Sequence, residues 1–200
     1  MPDLQDQLAI SALMQSWALA RDTGDWGKLR ATAHPGAAMT TTWFDGSFDA
    51  FVESCEVSWR KGSRSQHFLG GTVAEIEGTR AIAQTRMSIN VRSLLDGVEV
   101  DAVCTGRFFD RVEKREGVWR IARRSVIYEK DRIDPVDPTV QLRLDPALLA
   151  SMPEGYRHLA YIQTRIGYKV KMDMPMLKGP VVQELYRRGA RWLAGGPLER

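Results

Sequence analysis

The chain has 200 residues, of which 44% are hydrophobic and 26% charged, and its formal net charge is +3. That balance excludes wholesale disorder and fibrous repeats, and it fits one domain with a sizeable core or one domain plus a tail. No stretch approaches the roughly 18 uninterrupted apolar residues of a membrane span, and no basic segment followed by an apolar run opens the chain, so the expectation is a cytoplasmic protein with no membrane partner.

Residues 4–21 set Ile10, Leu13, Met14, Trp17 and Ala18 at helical spacing, which predicts a long amphipathic helix. Asp25 reads as the N-cap of a second short helix through about Ala33, where Pro35-Gly36 breaks the chain. The Thr- and Trp-rich stretch Ala38–Phe44 reads as a strand. Asp45-Gly46 then turns into a third helix over about Ser47–Trp59.

Four strand-like segments follow, at about 66–77, 80–94, 98–113 and 117–130. They are joined by Glu77-Gly78-Thr79, Asp96-Gly97 and Arg115-Glu116-Gly117, which have hairpin-turn chemistry. Three helices, one strand and then four antiparallel strands make an α+β chain in which a strongly curved sheet wraps the helices. Asp134-Pro135-Val136-Asp137-Pro138 marks a boundary, giving one unit over 1–134 and a proline-rich linker with a helical C-terminal extension over 135–200. The extension reads as helices near Asp145–Ala150, Glu154–Tyr168 and Val181–Leu193.

Residues 151–200 hold nine Lys or Arg against four Asp or Glu. These charges are interleaved with Leu, Tyr, Ile and Met, which points to a solvated helix face and not to a nucleic-acid partner. Cys55 and Cys104 have no zinc-finger spacing and read as reduced core thiols. No phosphate-binding glycine loop and no Gly-x-Ser-x-Gly elbow is present, and the three histidines, His34, His67 and His158, lie far apart, so no cofactor and no metal is expected.

What remains is a carboxylate and an imidazole. Asp22 lies in Arg21-Asp22-Thr23-Gly24-Asp25-Trp26, and His67 lies in Ser65-Gln66-His67-Phe68-Leu69-Gly70-Gly71. An Asp that fixes a His ring and supports its basicity makes a general acid/base pair. The other reading is a structural His and a solvated Asp at a helix end.

With Gly117-Val118-Trp119-Arg120-Ile121 as a third motif, residues 5–133 resemble the cone-shaped α+β barrels of the nuclear transport factor 2-like superfamily, in its SnoaL-like and scytalone dehydratase branch. The resemblance implies a cone-shaped, mostly antiparallel barrel around N-terminal helices, with Asp22 and His67 as catalytic positions lining its mouth and floor. It also implies proton-transfer chemistry. The dehydratases carry a second pocket His near Ile89 and a Tyr where this chain has Arg21, and they have a first-strand Tyr near Thr41 and Thr42. Those departures argue against scytalone itself as substrate.

A cone of this kind encloses an apolar pocket suited to a small hydrophobic or aromatic partner. Trp43, Phe68, Phe108 and Tyr128 are the expected aromatic walls, with Asn90 as a polar binding residue if a bulge turns it inward. The expected reaction is water loss, or carbon–carbon cleavage of an aryl diol releasing a small aldehyde. Ring isomerisation or plain ligand binding are the alternatives. If Ile89 faces inward, Gln84, Arg86, Ser88, Asn90 and Arg92 form a mixed polar outer face suited to a homo-oligomer, trimer or dimer. The Tyr-rich segment of the extension is expected either to lie across the mouth or to form an outer layer.

Overall fold

A computed structural model describes residues 4–199. The first helix, α1 (Leu4–Thr23), buries Ile10, Met14, Trp17 and Ala18, one stripe at helical spacing. It ends at Gly24, whose φ of +74° suits glycine. Asp25 then caps α2 (Trp26–Ala31) by accepting from the Lys28 N–H.

The expected helix end at Ala33 is corrected. Strand β1 (Ala33–Thr40) begins there, because Ala33 pairs with Ile121 of the distant last strand. Pro35-Gly36 sits inside the register shift between Ala33 and Ala38, where a residue without an N–H breaks no ladder bond. The strand stops at Thr40 and not at Phe44, since the Thr41 N–H turns back to the Phe44 carbonyl at 2.7 Å. The Asp45-Gly46 segment, expected as a turn, is a short strand, β2 (Asp45–Ser47), paired on β1. Ser47 caps α3 (Phe48–Arg60).

Four long strands follow: β3 (Ser65–Glu77), β4 (Arg80–Leu95), β5 (Val98–Arg115) and β6 (Val118–Pro135). They form consecutive antiparallel hairpins, while β1 joins β6 in parallel, giving the order β2-β1-β6-β5-β4-β3. Asp96-Gly97 and Glu116-Gly117 each hold two successive positive φ angles, the conformation of tight two-residue hairpin turns. Bulges between Leu69 and Thr72, Thr105 and Gly106, and Arg111 and Val112 bend the strands into the cone.

Gly106 leaves no room for a side chain, since a Cβ there would lie 2.1 Å from the Ile127 carbonyl oxygen. Gly106→Ala should therefore cost about 3 kcal/mol, read as a lower urea midpoint.

The concave face holds α1 and α3. The connection after β6 leads to α4 (Pro146–Ala150), a 3-10 turn at Glu154–Tyr156 and α5 (Arg157–Arg165). Tyr156, Leu159, Tyr161 and Ile162 are buried in the same core as Trp17 and Phe108. The last helix, α6 (Pro180–Leu193), lies on the convex face, where Val182 and Trp192 cover Ile82, Phe109 and Ile127. It also covers the Gln84 end of the polar outer face, where Arg107 bridges Gln84 and the Tyr186 hydroxyl.

Candidate active site

Strand β3 is an edge of the sheet, and α1 runs along it. Gln7 Nε2 donates to the Ala74 carbonyl at 2.8 Å, and at the other end of the helix its penultimate residue, Asp22, takes the His67 N–H on Oδ2 at 2.5 Å. The second Asp22 oxygen, Oδ1, receives His67 Nδ1–H at 2.6 Å. A carboxylate only accepts, so this bond places the proton on Nδ1 and leaves Nε2 as the lone-pair nitrogen. One side chain thus satisfies the sheet edge and sets the tautomer of the ring.

The pair is largely withdrawn from water, with side-chain exposures of 8% for His67 and 16% for Asp22. Trp17 meets the imidazole edge-on at 5.3 Å, and Phe108 lies 6.3 Å away. Burial drives the His67 pKa below its ordinary 6.5. Asp22 opposes this, and the Arg21 and Arg124 cations reinforce it. The ring is therefore held neutral at neutral pH and can accept a proton.

His67 opens onto a cavity of about 90 Å³. Of the expected binding residues, Trp43, Phe108 and Tyr128 line it. Phe68 does not, and this is a correction. With His67 turned inward, the pleat turns Phe68 outward, where it is 72% exposed. Asn90 is a second correction. It lies between Ile89 and Val91, which both line the cavity, and β4 pairs with β5 in unbroken register, so no bulge turns it inward. The nearby bulge lies in β3, at Gly70-Gly71.

The extension forms one wall. Leu159, Ile162, Gln163, Ile166 and Tyr168 all line the cavity. Asp131 of β6 holds α5 in place, accepting the Leu159 N–H at 2.8 Å and bonding His158 Nδ1 at 2.9 Å. After the helix, the Tyr168 hydroxyl meets Ser58 Oγ of α3 at 3.1 Å. Trp43, Ser58, Val91, Ile166 and Tyr168 also border an outer groove, which makes this the mouth.

Sequence reasoning missed Arg124. It is fully buried, forms a two-pronged pair with Asp110 at 2.7 and 2.9 Å, and stacks over the Trp17 and Phe108 rings. Its sequence signal was a lone carboxylate in Phe108-Phe109-Asp110, directly opposite Arg124 in the β5–β6 register. Burial keeps the Tyr128 phenol protonated far above its ordinary range, and its oxygen accepts from the Thr42 N–H at 3.4 Å. Both cysteines are free and buried. Among the described residues, no three His, Cys, Asp or Glu side chains converge, and no helix is long and apolar enough to cross a membrane.

Comparison with known proteins agrees with this architecture. The family model for the SnoaL-like domain matches residues 2–125. Pea pathogenicity protein 2 of Fusarium vanettenii is 32% identical over 205 residues, covering 97% of this chain and 88% of that protein. The putative scytalone dehydratase of Novosphingobium aromaticivorans superposes with a TM-score of 0.56 at 17% identity, over 70% of this chain and 97% of that one. LinA gives a TM-score of 0.57 at 14% identity, over 71% and 96%. These two structural likenesses concern the fold.

Proposed function

Given that the chain belongs to the SnoaL-like domain family, we propose that it is a cofactor-independent lyase acting on a small aromatic molecule. The observation that carries this reading is a neutral imidazole, oriented by Asp22 and walled by Trp17 and Phe108, facing a mainly apolar cavity. The names of the structural neighbours, a putative scytalone dehydratase and a dehydrochlorinase, favour elimination chemistry in this fold.

In a water loss, His67 Nε2 takes the proton from the carbon next to the carbinol. The imidazolium then returns it to the departing hydroxyl, so that water leaves and the ring ends neutral. In a carbon–carbon cleavage, the same nitrogen takes the proton of a hydroxyl, an aldehyde departs, and the imidazolium protonates the carbon left behind. Asp22 stabilises the imidazolium in both. The apolar walls keep water from competing for the proton. Incubating the protein with phenolic diols and hydroxylated polycycles, with mass detection of products that have lost water or formaldehyde, tests the reading. Consumption of none of them would remove it.

The depressed His67 pKa sets the pH profile. On this reading kcat/KM is level through neutrality and falls only at pH below the ordinary histidine value of 6.5. An inflection above 6.5 would contradict the role of His67 as the base. Stability moves the same way. His67 and the buried His34 both bind protons less readily folded than unfolded, so their contribution is complete above 6.5 and is lost as the pH falls below it.

A further inference from the structure

We infer that the cavity binds a flat ligand bearing a hydroxyl that donates to Gln163 Oε1, and that Gln163 selects ligands by that hydroxyl. This rests on the reading of the cavity as the substrate site. Three of its lining residues carry a buried side-chain oxygen with no partner in the protein, among the described residues: Thr42 Oγ1, Ser65 Oγ and Gln163 Oε1. Their main chains are otherwise engaged. The Thr42 carbonyl accepts from the Lys171 N–H at 2.7 Å, and the Gln163 carbonyl accepts from the Tyr168 N–H at 2.9 Å. A buried polar atom left unpaired costs about 1–3 kcal/mol, which makes three around one cavity informative.

The three oxygens do not ask for the same thing. A hydroxyl can donate or accept, so Thr42 and Ser65 tolerate any ligand oxygen. An amide oxygen only accepts, so with Oε1 turned to the cavity Gln163 takes a donor. Ser65 stands two residues before His67 on the same face of β3, beside the reacting centre. Gln163 reads a substituent from the α5 wall, on a helix held at its start by Asp131 and beyond its end by the Tyr168–Ser58 contact. An ether or bare hydrocarbon at that point leaves Oε1 unsatisfied and is disfavoured.

Calorimetric titration of the whole chain with 2-naphthol, 2-methoxynaphthalene and naphthalene tests the inference. We expect 2-naphthol to bind about tenfold more tightly than its methyl ether. Gln163→Met should close that gap by weakening the naphthol and leaving the ether unchanged. Equal binding of all three, binding of none, or a naphthol preference that survives Gln163→Met overturns the inference. A preference for the ether does so too, since it means the amide turns its NH₂ inward. Equal binding by the wild type overturns the inference without any variant, and Gln163→Leu takes the place of Gln163→Met if that variant does not fold. Naphthol selectivity without turnover of any diol leaves this inference standing and removes the lyase reading; turnover without selectivity does the reverse.

Discussion

His67→Gln lowers turnover of any accepted substrate by about 10²- to 10⁴-fold, the range for removing a positioned general base. Glutamine is the informative replacement because its amide N–H can still donate to Asp22 and its main-chain N–H is untouched, so the α1–β3 seam persists. The expected protein keeps its circular dichroism and its melting temperature and loses only chemistry. Asp22→Asn is the companion. An amide can offer its N–H to the ring and stabilise the wrong tautomer, so turnover falls while KM changes little. Full turnover in a folded His67→Gln protein would falsify the assignment of the base.

Asp110→Ala is expected to destabilise the fold by about 3–5 kcal/mol, because it leaves the Arg124 guanidinium charged and unpaired in a fully buried site. Total stability of a domain is about 5–15 kcal/mol, so urea unfolding should show a large loss of midpoint or no folded state at all. The double variant Asp110→Leu with Arg124→Met separates pair from packing. It removes both charges at similar volume and should recover most of the loss. A single variant that costs less than about 1 kcal/mol, the range of an exposed pair, would contradict the full burial of this pair.

The hairpins were legible because their cause is local. Asp96-Gly97 and Glu116-Gly117 carry residues that accept positive φ, and the alternating stretches on either side supply the strands. The start of strand β1 is illegible for the opposite reason. Pro35-Gly36 looks like a break until Ile121, more than eighty residues away, is known to pair with Ala33. Asp22 and His67 were found through motif resemblance, and their contact is visible only once α1 lies against the edge of β3. The aromatic character of Phe68 suggests a pocket wall, but the two-residue period fixed by His67 turns it outward. Thr42 and Gln163 carry no local mark. They reach the cavity from a loop and from a helix that follows a proline-rich connection, and only the closed cone brings them together.

The helix α6 laid on the convex face has a consequence for synthesis. Ile82, Phe109 and Ile127 leave the ribosome long before Val182 and Trp192, which later cover them. Until then the nascent cone exposes an apolar outer stripe beside finished hairpins, a surface prone to sticking to other unfinished chains. Slow translation across residues 135–180 would lengthen that exposure.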